Sequence, residues 1–443
     1  MADAGSRLAL FLFDRSRPCR EGCEEEKLIS FFPSAASQDR RKGFIGLVEG
    51  LINFTSIFSP DKPCELMRAG RHRQILLQCE PEIWMVLIVG EDIASSEVRT
   101  GAIRQALKET YEAIVLLTGS LRNAITEDAT LQRVRRNAAP IMSDMWARMT
   151  APKRNPTNEF NLLTNSLSGR EGMPLLPLPR SMFLSVQFIV NVLESAYGGN
   201  TVLNTMILFD HQLVWTGLPP SDARALYRFA SRCLLPQQVA SGSRSRARSS
   251  SMSAPPEPAT AFGTPFRPGE WKAGSDGFLT ATDPSPGEPR VPLIHSTNGT
   301  KYQLVVYHQE AITLLLLFKE SAPEASSAAY RNQLSGMVDA HLRTLGPGLE
   351  EHFQAPNRWH VPGYRYLFVD RALSNVRHSP DSKVATLSKE SLAVLGSLRS
   401  QLEELDALKG GISGWKRWPT HDPQEAGVIH PLVPLLKSIL AHH

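Results

Sequence analysis

The sequence predicts an α+β protein of mainly antiparallel sheets flanked by helices. Three observations point to this class. Short runs of strand character are joined by tight polar turns, and longer amphipathic helices stand between those runs. In the first 150 residues the order is strand, strand, helix, three strands, helix, helix. Two polar breaks then divide the chain into three modules. A chain of 443 residues also has room for roughly two to four domains at ~150 residues each.

The first module, residues 1–150, opens with strands at 8–13 and 27–32. Their turn holds Gly22 and the acidic run Glu24-Glu25-Glu26, read as solvated. A helix follows with Ser37 as N-cap and Asp39 in its first turn. Phe44, Leu47, Val48, Leu51, Phe54 and Phe58 recur at one-, three- and four-residue steps and make one apolar stripe. Phe54 and Phe58 are read as core residues that pack this helix on its own sheet. Gly43, Gly46 and Gly50 line up beside the stripe. Each costs about 1 kcal/mol of helix propensity relative to Ala, which points to close backbone approach by a neighbour. Ser59-Pro60 ends the helix, because proline disfavours helical geometry in the residue before it.

Strands are next expected at 65–68, 74–78 and 83–89, the last buried on both faces, with Trp84 in the core. A helix capped by Ser95 or Ser96 runs to Leu117 along Ile103, Leu107, Tyr111 and Ile114, with Gly119 as its stop. One more helix spans 127–149.

Residues 151–180 read as a linker, with Pro152, Pro156, Pro174, Pro177 and Pro179. The second module, 181–240, holds a helix at 181–196, a hairpin of 205–209 with 213–216, and a helix at 222–235. Residues 241–290 form a Ser/Arg/Pro-rich insertion that reads as disordered. Its basic segment, with Arg244, Arg246 and Arg248, suits a plain insertion, a phosphorylated loop or a contact for acidic lipid. The third module, 291–443, has a hairpin of 301–308 with 312–318, a helix at 323–344 capped by Ser321, and a strand at 364–370. A Leu-rich helix follows at 387–408, then an apolar segment at 432–440.

Composition excludes several functions. A net charge of +4 with mixed signs lacks the strong basic bias of a nucleic-acid binder. The five cysteines, Cys19, Cys23, Cys64, Cys79 and Cys233, show no repeated pair spacing, so reduced thiols of a cytosolic protein are expected. The apolar runs are too short to span a bilayer, so work at a membrane implies recruitment.

No catalytic signature is complete: the chain has neither a G-x-S-x-G elbow nor an H-E-x-x-H helix. The glycines around Gly410-Gly411-Ile412-Ser413-Gly414-Trp415-Lys416 lack the spacing of a phosphate loop. His308 and Glu310 read as a hairpin tip. No catalytic residue, metal or cofactor is therefore expected. A sticky helix without chemistry suits a protein that works through surfaces.

The first module resembles a longin domain. The motifs are similar to the Ccz family: Gly46-Leu47-x-Glu49 followed by Phe54, Phe58 and Ser59-Pro60; the hairpin Glu21-Gly22 with Glu24-Glu25-Glu26-Lys27; and Ile83-Trp84-Met85-Val86. Leu107-x-x-x-Tyr111 with Gly119, the run Leu208-Phe209-Asp210-His211-Gln212-Leu213-Val214-Trp215-Thr216-Gly217-Leu218, Lys301-Tyr302-x-Leu304 and Tyr364-Arg365-Tyr366 extend the resemblance over nearly the whole chain. The Ser/Arg-rich insertion, Cys19 and Cys23 depart from the family pattern.

The resemblance implies three longin domains matching the three modules. It implies an obligate heterodimer with a Mon-type longin subunit that acts as a guanine-nucleotide exchange factor for a late-endosomal Rab GTPase of the Rab-seven class. It also implies peripheral recruitment from the cytoplasm to late endosome or vacuole. An upstream early-endosomal Rab and acidic or phosphoinositide lipid are further partners it admits, the lipid through Arg40–Lys42 or Arg68–Arg73 if those clusters are more than solvated surface. On this reading Asn53, Thr55, Ser59, Pro60 and Lys62 are candidate Rab contacts. Gly46 and Gly50 seat either the partner subunit or the domain's own sheet. The alternative is a longin scaffold or trafficking adaptor without exchange activity.

Overall fold

Leu8–Asp14 (β1) and Ile83–Gly90 (β5) are buried at every position in the computed structural model, as strands without a polar face require. The structure describes residues 8–20, 22–60, 62–70, 72–90, 100–127, 130–151, 160, 172–195, 202–231, 271–273, 277–281, 291, 293–322, 325, 327–354, 367–370, 373, 375–378 and 394–399. The elements below all belong to residues 1–396.

β1 and β5 pair at the centre of a five-stranded antiparallel sheet. Its order is Leu28–Phe32 (β2), β1, β5, His72–Glu80 (β4) and Leu66–Ala69 (β3). The two-residue period of the strands divides their side chains between two cores. Leu10, Leu12, Met85 and Leu87 meet the helices Thr100–Thr118 (α2) and Gln132–Thr150 (α4) on one face. Phe11, Phe13, Trp84 and Val86 meet Gln38–Phe58 (α1) on the other. Trp84 is a core residue, as the sequence predicts.

The helix expected at 127–149 is α4, which starts at Gln132, and a short helix, Leu121–Glu127 (α3), precedes it. Leu131, with φ 59°, breaks the chain between them. The Glu80 carboxylate caps α3 by accepting the N–H groups of Leu121 (2.7 Å) and Arg122 (2.8 Å). It also accepts the Tyr111 hydroxyl at 2.8 Å. Burial and this carboxylate push the Tyr111 phenol up, so it remains a donor.

The second sheet repeats the first. It draws on Val202–Phe209 (β7), Gln212–Thr216 (β8), Trp271–Ala273 (β9), Phe278–Ala281 (β10), Lys301–Gln309 (β12) and Ile312–Lys319 (β13) in the order β8-β7-β13-β12-β10-β9, with Leu293–His295 (β11) also on β12. Pro220–Phe229 (α6) follows β8 as α1 follows β2, and covers one face. Arg180–Ser195 (α5) and Ala328–Gln354 (α7) cover the other.

This topology corrects two sequence expectations. The 240/291 boundary does not separate two sheets, because β13 pairs directly with β7. The 241–290 insertion is also not wholly irregular, since β9 and β10 extend the sheet from β12. Phe278 is buried in the core there. The backbone turns at Gly277 (φ 80°), where a Cβ would stand 2.7 Å from the Tyr307 ring.

The expected linker contributes Met173–Pro174 (β6), which pairs parallel with Asn375–His378 (β15); Leu367–Asp370 (β14) completes a three-stranded sheet. The 323–344 helix expectation becomes α7, which starts later and continues through Pro347. Most of the helix expected at 387–408, and the segment at 432–440, lie outside the described residues. Among the described residues no helix is long and apolar enough to cross a membrane.

Candidate protein interface on the first helix

α1 is held firmly before it offers anything outward. The Ser37 side chain accepts the Arg40 N–H at 3.4 Å as N-cap. Lys27 Nζ pairs with both Glu49 oxygens at 2.7 and 3.0 Å, tying the helix to the first hairpin. Arg41 lies over the Phe31 ring and Arg40 over Phe44, at 5.6 and 5.5 Å from the centroids. Two cations of the Arg40–Lys42 cluster are thus spent on the protein's own rings, and Lys42 pairs with Glu25 at 3.6 Å.

Two apolar faces run along this helix. Ile45, Val48, Leu51 and Ile52 are buried against the sheet. On the opposite side Leu47, Phe54, Ile57 and Phe58 are 53, 61, 76 and 73 % exposed. The expectation that Phe54 and Phe58 pack inward is therefore overturned. Ile45 and Ile52 occupy the sheet side, and the helix has room for one apolar face there. Phe54 and Phe58 pack on each other instead, tilted by 59° with ring centroids 5.1 Å apart.

Gly43, Gly46 and Gly50 share the outward face at three- and four-residue steps, and a Cβ on any of them would meet nothing within 4 Å. Of the two readings of Gly46 and Gly50, packing on the domain's own sheet is excluded. Glycine here costs helix propensity and gains no close approach among the described residues. The face combines a shallow glycine groove with a protruding aromatic end. Contiguous exposed apolar surface of this kind marks a protein or membrane contact, and each such side chain contributes roughly 1.5–3 kcal/mol when fully covered.

The predicted contact residues sit around that aromatic end with different freedom. Ser59, Pro60 and Lys62 are exposed. Asn53 is exposed, and its Oδ1 accepts Arg15 Nη1 at 3.1 Å; Arg15 also pairs with Glu82 at 2.6 Å. Thr55 is half-buried and donates its hydroxyl to Leu51 O at 2.9 Å, so it is turned toward its own helix. Ile57 is the residue that sequence reasoning passed over. Its signal was the step of three from Phe54 along the glycine line.

Among the described residues the other sequence candidates do not assemble chemistry, and Cys233 and residues 410–416 lie outside them. His308 Nδ1 lies 2.9 Å from the Thr313 hydroxyl across the β12–β13 pair, and burial lowers its pKa. Glu310 occupies the left-handed turn position, φ 53°. Cys19, Cys23, Cys64 and Cys79 are free thiols. Among the described residues no group of three His, Cys, Asp or Glu is placed to hold a metal ion.

Two sandwiches of this topology, each an antiparallel sheet covered by helices on both faces, define a longin-domain protein. Comparison with known families agrees. The model for the first longin domain of INTU, CCZ1 and HPS4 matches residues 8–119, and the model for Intu longin-like domain 2 matches residues 202–339. Vacuolar fusion protein CCZ1 homolog B of Arabidopsis thaliana is 31% identical over 430 residues, covering 91% of this chain and 86% of that protein. The CCZ1 homolog of Oryza sativa subsp. japonica is 32% identical over 421 residues, covering 91% and 84%. The homolog of Nematostella vectensis is 25% identical over 398 residues, covering 88% and 83%. The chain belongs to the CCZ1 family.

Proposed function

We propose that this chain works in vacuolar fusion traffic as one subunit of a heterodimeric guanine-nucleotide exchange factor. Its partner is a Mon-type longin subunit, and its substrate is a late-endosomal Rab GTPase of the Rab-seven class. The names of its relatives support the vacuolar role. The observation that carries the rest is the uncovered face of α1, where the glycine groove and the Phe54–Ile57–Phe58 end are open to solvent.

Gly46 and Gly50 let a helix of the partner subunit approach the α1 backbone closely. Phe54 and Phe58 close that contact. Asn53, Ser59, Pro60 and Lys62 then stand at the edge of the joint surface and meet the GTPase. Thr55 contributes by holding the helix end. No general acid or base is required. A surface that binds the nucleotide-free GTPase more tightly than the loaded one lowers the barrier to GDP release by differential binding alone. The complex is recruited peripherally to late-endosomal or vacuolar membrane.

The test is release of fluorescent GDP from a Rab-seven-class GTPase with the chain co-expressed with a Mon-type subunit. Acceleration by the heterodimer, and none by the chain alone, is expected. A well-folded heterodimer that leaves the release rate unchanged contradicts exchange and favours a longin scaffold.

A further inference from the structure

The helix α2 belongs to two cores at once. Ile103, Leu107 and Ile114 pack into the first unit, whereas Leu116 and Leu117 join the core of the second around Leu226 and Ile294. Between these apolar contacts lies a group of four charges, with Glu109 and Arg228 buried and Glu112 and Arg224 half-buried. Arg228 of α6 donates through Nη2 to Glu109 Oε1 at 2.7 Å, and its Nη1 is 3.7 Å from Glu112 Oε2. Arg224, one turn earlier, grips both oxygens of Glu112 at 2.5 and 3.2 Å. Gln105 adds a donor to Glu109 at 3.3 Å. The side chains of Arg228 and Glu109 are only 7 and 1 % exposed.

Nothing in longin packing requires charge at this place, where two leucines already supply apolar contact. What charge adds is register. The two rungs, Arg224–Glu112 and Arg228–Glu109, rise along α6 as they descend along α2, so the helices run antiparallel at the contact. Sliding one helix past the other by a turn would mate one rung wrongly and strand one buried and one half-buried charge without partners. Leucine contacts tolerate such a slip, whereas a buried unpaired charge does not. A second close approach fixes the end of the same helix. A Cβ at Gly119 (φ 75°) would stand 2.9 Å from His295 Nδ1 of β11.

We propose that the Glu109–Glu112–Arg224–Arg228 quartet is a registry lock that sets the angle and offset between the first and second longin units. It positions the unit carrying α1 against the second longin unit and touches no partner itself. The inference does not depend on exchange activity.

The lock separates orientation from stability, and the test uses that. Genetically encoded spin-label amino acids at Ser56 on α1 and Asn332 on α7, both exposed, report the distance between the units in the full chain by pulsed electron resonance. The native chain should give one narrow distribution. R228M leaves Glu109 buried without its main partner, so its melting temperature should fall by about 10 °C. The fourfold E109M/E112M/R224M/R228M variant removes the charges together and should melt within a few degrees of the native chain. Its distance distribution should nevertheless broaden by about twofold or split. E109R/R228E should bring back most of what R228E loses, because it restores one rung with the signs exchanged. A fourfold variant with the native narrow distribution overturns the proposal, as does R228M with unchanged melting and distance. If the fourfold variant does not fold, recovery by E109R/R228E supports the lock, and R228E with an unaltered distance overturns it.

Discussion

α1 and α6 are the same helix in two sandwiches. Each follows the first strand pair of its sheet and covers the face opposite two other helices. They differ in what lies outside. Every residue of α6 from Asp222 to Phe229, apart from Arg224, is buried, because α2 of the first unit lies across it. The matching side of α1 is bare, apolar and lined by glycine. A longin unit leaves this helix needing a second layer. The chain supplies that layer for one unit, and on the proposed function a separate protein supplies it for the other. The chemistry of the two contacts also differs. The internal contact holds buried charge, whereas the open face is hydrophobic.

The largest expected effect breaks the open side of this comparison. F54D/F58D should abolish co-purification with a Mon-type subunit, a loss of at least about 100-fold in affinity if each ring contributes ~1.5–3 kcal/mol. The melting temperature of the chain alone should barely change, since both rings are exposed. A large drop in melting temperature would show that they serve the fold.

Gly46→Ala and Gly50→Ala sharpen the same contrast because stability and binding should move in opposite directions. Each should stabilise the chain alone by roughly 0.5–1 kcal/mol, through helix propensity in open space. Each should also weaken the heterodimer several-fold by holding the partner's backbone away, as read by calorimetric titration. Lys62→Glu should slow GDP release several-fold with heterodimer affinity unchanged, separating GTPase contact from subunit contact.

The smallest effect concerns pH and falls on the second unit. Burial lowers the pKa of His308 and His295 below the ordinary 6.5. The unfolded chain therefore binds protons that the folded chain resists. Their contribution to stability is full above pH 6.5 and declines as the pH falls through that value toward the folded pKa. Mild acid should weaken the second unit first, and hydrogen exchange near pH 5.5 should show β12 and β13 loosening before β1 and β5.

Much of this was legible in the sequence, for identifiable reasons. β1, β5 and the β12–β13 hairpin were visible because their runs are long, apolar and bounded by turns. The existence of α1, its Ser37 cap and its end at Ser59-Pro60 were visible for similar reasons. Which side of α1 faces the sheet was not. Periodicity finds a helix from any apolar stripe, but α1 carries two, and Phe54 and Phe58 make the more conspicuous one. Ile45 and Ile52 mark the sheet side, a judgement only the packing of Phe11, Phe31 and Trp84 could make. β9 and β10 were hidden because each is short and stands among Gly, Pro and Ser. The quartet was hidden for a different reason: Glu109, Glu112, Arg224 and Arg228 have the spacing of ordinary solvated helix faces, and burial alone distinguishes them.

The claim that the outer face of α1 is a subunit interface is tested most directly by site-specific photocrosslinking. Benzoylphenylalanine placed at Ile57, in the full chain mixed with a Mon-type subunit, should capture a longin-domain peptide of that subunit. The same group at Asn332 on α7 serves as the comparison. Crosslinks from Ile57 into a partner longin domain, exceeding those from Asn332, are the result this account predicts. A stable heterodimer in which Ile57 captures nothing would contradict it.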